Sequence, residues 1–118
     1  MLFISLTVTS CYYDEIPTEI VAPLPESISY INDIQPLFNQ NCIGCHKTGA
    51  TAPDLSSANS YAALTAANKY VVASNAYGSV LYKSLLGEGA LLMPTNGKLS
   101  ASKIALVEKW INDGALNN

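Results

Sequence analysis

Cys42-Ile43-Gly44-Cys45-His46 is the stretch on which the reading of this 118-residue chain turns. Two thiols stand at i and i+3, and a histidine follows directly. A single helical turn places both sulfurs on one side of the backbone. The next residue then projects an imidazole close to the space between them. Thiols at this spacing serve three kinds of chemistry: thiol-disulfide exchange, half of a zinc site, and, with the histidine, covalent attachment of a c-type haem.

The rest of the chain weighs these against one another. A structural zinc site needs about four protein ligands and a catalytic one three. Only three cysteines and one histidine are present, and Cys11 lies far off in a segment of different character. Zinc would need a carboxylate or a second chain. A thioredoxin-like site would need alternating strands and helices, and that pattern is missing. The haem reading asks for least: Cys42 and Cys45 bond the porphyrin vinyl groups, and His46 becomes the proximal iron ligand.

Downstream, the distal ligand follows by elimination. Low-spin haem iron takes Met or His as its second axial ligand. There is no second histidine, and Met93 is the only methionine besides Met1. Met93 stands in Leu91-Leu92-Met93-Pro94, a loop composition between two helical stretches. Pro53 and Leu55 stand seven and nine residues past His46, in a Gly- and Pro-bearing segment that reads as a loop. A ligating histidine normally gives its other N–H to a carbonyl or carboxylate.

Periodicity places about four short helices around these residues. The first is expected near Asp33, capped by Asn32 or Asp33, with Pro36 in its first turn and Ile34, Leu37 and Phe38 on one face. It ends near Asn41, and Gly44 is expected to keep the following turn compact. A second helix spans about residues 60–67. A third spans about residues 79–86 and is stopped by Gly87 and Gly89. The last opens at an N-cap Ser100, with Ile104, Val107, Trp110 and Ile111 on a broad apolar face, and stops at Gly114. Trp110 is expected to pack on the first helix. Tyr70-Val71-Val72 reads as a connection, since no partner strand is apparent.

The N-terminal quarter differs in kind. Residues 1–11 read as a truncated lipoprotein-type signal. An apolar, uncharged run ends in Val8-Thr9-Ser10-Cys11, which resembles a lipobox with Cys11 as the acylated residue, although it lacks a leading basic residue. Residues 12–29 read as an acidic, proline-containing tether. Pro17, Pro23 and Pro25 favour an extended chain, which at about 3.1 Å per residue reaches on the order of 55 Å. The domain proper is expected over residues 30–118. The net charge of −3 divides unevenly between these parts. The tether carries Asp14, Glu15, Glu19 and Glu26, whereas the remainder is near neutral with six lysines and no arginine. Nucleic acid is therefore not an expected partner.

Taken together, Tyr30 to Phe38 leading into the Cys42–His46 motif, Ser79 to Leu85, Met93-Pro94, and Trp110-Ile111-Asn112-Asp113-Gly114-Ala115 resemble the short cytochrome c domains of bacterial exported proteins and lipoproteins. The likeness covers about residues 30–116. It implies an all-α fold, the small cytochrome c fold, built around one covalently bound haem c, with the first and last helices crossing. By the same likeness, Pro53 supplies the carbonyl that accepts from His46, and Leu55 packs against the haem. The implied function is transfer of single electrons between redox protein partners in the periplasm or cell envelope, with a lipid anchor at Cys11. No catalytic residue and no small-molecule substrate are expected. Two other readings stay open: a haem sensor with a displaceable Met93, and a haem-free thiol or metal-binding module.

Overall fold

A computed structural model describes residues 23–118; Cys11 and the tether up to residue 22 lie outside the described residues. The fold is all-α. Its elements are a π-helical turn Tyr30–Ile34 that runs straight into α1 (Gln35–Asn41), α2 (Ser60–Thr65) continued by a 3-10 turn Ala66–Asn68, α3 (Val80–Leu86) and α4 (Ala101–Asn112). Among the described residues there is no strand, and no helix is long and apolar enough to cross a membrane.

The first helical segment begins earlier than its sequence suggests. Ser29 is extended (φ −92°, ψ 125°), and its Oγ accepts the Asn32 N–H at 3.1 Å. In return the Asp33 carboxylate accepts the Ser29 N–H at 2.7 Å. This is the reciprocal logic of a capping box, with the acidic residue one position further along. Asp33 therefore closes the cap from inside the helix instead of forming it. Ile28 is buried, so the folded body takes in Ile28 and Ser29 as well as the expected domain.

The C-terminus seals that beginning. Asn118 Oδ1 accepts the Tyr30 N–H at 2.9 Å, and its Nδ2 donates to the Ile28 carbonyl at 3.2 Å. Its own carbonyl accepts from Ser29 Oγ and the Ile31 N–H. Several N–H groups at a helix start have no intrahelical acceptor; here a residue about 88 positions away satisfies two of them.

The core lies between α4 and the other helices. Ile34, Leu64, Val71, Val107, Trp110 and Ile111 are at most 1 % exposed. α4 packs on the opening π turn and on α3. Trp110 meets Tyr30, at the head of the segment that becomes α1, and Tyr61 stacks edge-on against Tyr30. α4 is capped as its sequence suggests: Ser100 Oγ accepts the Lys103 N–H. Beyond it, Gly114 (φ 113°) turns the chain so that Trp110 Nε1 donates to the Leu116 carbonyl at 2.9 Å.

α2 is shorter than the periodicity suggests. It ends at Thr65, and Ala67 and Asn68 have positive φ. The 70–79 segment is a connection held by buried Ser79. The Ser79 Oγ donates to the Asn75 carbonyl at 2.8 Å and accepts the Val72 N–H at 2.9 Å. Ser79 is the N-cap residue of α3, and Gly87 closes that helix in the left-handed region (φ 70°).

Candidate functional site

α1 ends by handing its last hydrogen bonds to the cysteine motif. The Phe38 carbonyl accepts the N–H groups of both Cys42 and Ile43, and the Cys42 carbonyl accepts those of Cys45 (3.2 Å) and His46 (3.0 Å). This double acceptance makes the motif one tight turn. Gly44 is not the cause of its compactness. A Cβ built at Gly44 would meet no atom within 4 Å.

Residues 47–55 fold back over the motif. The Thr51 N–H donates to the Cys45 carbonyl at 3.1 Å, and the Leu55 N–H donates to the His46 carbonyl at 2.9 Å. The loop reads as loose in sequence, yet it is tied by Asp54. The Asp54 carboxylate accepts from Thr48 Oγ1 (2.7 Å), Asn59 Nδ2 (2.9 Å), and both the Oγ and N–H of Ser56. The Ser56 and Thr48 hydroxyls hold its carboxyl well below the usual carboxylate range. Asp54 followed two residues later by Ser56 is an Asx-turn signal, and that signal would have disclosed the brace.

Met93 arrives from the other end of the chain. Gly87 reverses direction after α3, and the Met93 N–H donates to the Ser84 carbonyl at 2.9 Å. The return brings Met93 to a cleft of about 180 Å³ whose walls include Phe38, Cys42, His46, Pro53, Leu55 and Met93. A second cavity of about 490 Å³ adjoins it and is lined by Cys42, Cys45, His46, Met93 and Pro94. Cys42, His46 and Met93 line both. The six residues singled out downstream of the tether therefore divide between two adjoining cavities, Pro53 and Leu55 on the first, Cys45 on the second, and Cys42, His46 and Met93 on both.

The chemistry inside these cavities is specific. His46 Nδ1 is buried and has no hydrogen-bond partner. Buried polar atoms are normally paired, so His46 Nδ1 is an exception within the fold. The expected bond from His46 to the Pro53 carbonyl is not made, and Pro53 serves as cleft wall instead. Cys42 and Cys45 are free thiols. Burial pushes the Cys42 thiol up to about 11, away from the direction that activates an exchange cysteine. Among the described residues no three His, Cys, Asp or Glu side chains converge to hold a metal ion.

A haem fits this donor set on two observations: both thiols, the imidazole and the thioether line one cavity, and the cleft adjoining it is walled mainly by hydrocarbon. No family model matches the chain, and comparison with curated proteins and with solved structures finds no match.

Proposed function

We propose that this chain is a monohaem c-type cytochrome, an electron carrier and not an enzyme, with the small cytochrome c fold. The observation that carries the reading is one shared cavity: Cys42, Cys45, His46 and Met93, far apart in sequence, all line it, and it adjoins an apolar cleft. Cys42 and Cys45 would hold haem c through thioether bonds, and His46 and Met93 would offer its iron an imidazole and a thioether. When bound, haem c supplies an iron that takes up and releases one electron, at a potential raised by Met/His ligation.

The chain's own residues do the rest. Leu37, Phe38, Leu55, Leu64 and Val107 present hydrocarbon to the cleft and keep water from it. If His46 and Met93 both bound the iron, protein side chains would stand where a substrate would have to bind. Partners are then other redox proteins, met through small transient interfaces. The site of action is the periplasm or cell envelope, with Cys11 as the lipid-bearing residue.

The deciding experiment is a haem stain of a denaturing gel of the exported full-length protein, beside its Cys42→Ala, Cys45→Ala double variant. Covalent haem stays with the wild-type band and is lost from the double variant. A colourless wild type at its unmodified polypeptide mass sinks the reading.

A further inference from the structure

Gln35, Ser60 and Ser79 are the buried polar residues among those described. Ser79 organises its own turn. Gln35 and Ser60 do something different: they link three elements to the cysteine-histidine motif.

Gln35 opens α1 and is 6 % exposed. Its Nε2 donates to the Leu55 carbonyl at 2.9 Å and to Asn39 Oδ1 at 3.0 Å. Its Oε1 accepts from Ser60 Oγ, at the start of α2. A hydroxyl has one proton, and Ser60 spends it on Gln35. Tyr30 OH, 2.5 Å from Ser60 Oγ, must therefore be the donor to Ser60. The direction of every bond in the chain is set: Tyr30 to Ser60, Ser60 to Gln35, Gln35 to the Leu55 carbonyl. Flipping the Gln35 amide would turn its NH₂ toward the Ser60 proton and its oxygen toward the Leu55 carbonyl. One further bond completes the path, because the Leu55 N–H donates to the His46 carbonyl at 2.9 Å.

We propose that Gln35 is the positioning residue for His46: its amide holds Leu55 by the carbonyl, and Leu55 in turn holds, by its N–H, the backbone that carries the imidazole. Gln35 touches neither the imidazole nor the cavities. It acts through Leu55, which is also a cleft wall. Backbone tethering of this kind suits a histidine whose ring nitrogen has no hydrogen bond of its own to hold it. The inference rests on the reading of His46 as an iron ligand.

The test compares the full-length wild type with Gln35→Met, which keeps the volume and removes the amide, and Ser60→Ala, which removes the bond to Oε1 and the acceptor of Tyr30 OH while leaving the Gln35 amide in place. Hydrogen exchange is followed at the Leu55 amide, with the Val107 amide in α4 as reference, and the reduction potential is measured on the haem-loaded protein. In Gln35→Met the Leu55 amide exchanges about tenfold faster while Val107 changes less than about twofold, and the potential shifts at unchanged haem content. Ser60→Ala gives a smaller, same-signed change, roughly threefold at Leu55. Equal acceleration at Leu55 and Val107, or an unmoved potential, reduces Gln35 to a structural residue and overturns the proposal. If Gln35→Met does not accumulate, the same outcomes are read from Ser60→Ala. A wild type without haem defeats the carrier reading instead, and the exchange data then still decide whether Gln35 holds the His46 backbone.

Discussion

Trp110 lies against Tyr30 with ring centroids 5.1 Å apart and planes tilted at 39°. Trp110 is 1 % exposed, Tyr30 3 %. Each ring is also tied by its polar handle: Trp110 Nε1 to the Leu116 carbonyl, Tyr30 OH to Ser60 Oγ. The pair joins the last helix to the opening turn, and through it the C-terminal tail to α2.

Trp110→Ala should therefore be among the most damaging substitutions in the domain, costing about 3–5 kcal/mol. Trp110→Phe keeps most of the apolar contact and leaves the Leu116 carbonyl without its donor, which costs about 1–2 kcal/mol. Denaturant unfolding followed by far-ultraviolet circular dichroism measures both. A loss below about 1.5 kcal/mol for the alanine variant would mean that the aromatic cluster is not what holds α4 down.

Two glycines near the site should respond in opposite ways. Gly87 has φ 70°, and a Cβ there would meet Leu92 Cβ and Cδ1 at 3.3 Å. Gly87→Ala pays the left-handed penalty of about 1–2 kcal/mol and pushes on the segment that delivers Met93. At Gly44 an added Cβ meets nothing and φ is not positive. Gly44→Ala should change stability by less than about 0.5 kcal/mol. Thermal melts of the two variants decide the matter, and similar losses at both positions would contradict the geometry.

The contrast shows what the sequence disclosed. Signals carried by neighbours along the chain were legible: the Ser100 cap, the Gly87 stop and the apolar face of α4. What depended on distant partners was not. The start at Ser29 is stabilised by Asn118 and by an Asp33 turned backwards, and neither leaves a mark in local periodicity. Gly44 was expected to matter sterically, because glycine in a tight turn usually does, but the turn is held by the Cys42 carbonyl. Gln35 carries no local signal of burial, because the partners that enclose it come from α2 and the 47–55 loop. Pro53 reaches the cleft, yet His46 Nδ1 has no partner, so the expected hydrogen bond was a correct neighbourhood with the wrong contact.

The Asp54 brace predicts a pH dependence of definite sign. The Ser56 and Thr48 hydroxyls depress the folded-state pKa, so the carboxylate's contribution is fully present above the unfolded value of about 3.9. It is lost as pH falls through the lower, folded value. Wild type should be more stable than Asp54→Asn from neutral pH down to about 4, and the gap should close on further acidification. Melting temperatures of both proteins across the acid range test this. A gap that widens below pH 4, or that is absent at pH 7, rules out the carboxylate as the group that braces the loop.

Met93 offers the sharpest separation between a carrier and a sensor. It is partly buried, its N–H is held by the Ser84 carbonyl, and its side chain lines both cavities beside His46. If the thioether is the distal ligand, Met93→Ala frees an iron position without disturbing α3, because the backbone bond to Ser84 survives. The reduced variant should then take up carbon monoxide promptly, with a change in the visible spectrum that the wild type does not undergo on the same timescale. Met93→His should keep the site closed and lower the reduction potential, since an imidazole favours ferrous iron less than a thioether does. A wild type that binds carbon monoxide as fast as Met93→Ala would show the sulfur to be displaceable or unligated. The chain would then be a ligand-binding haem protein, and the electron-carrier reading would give way.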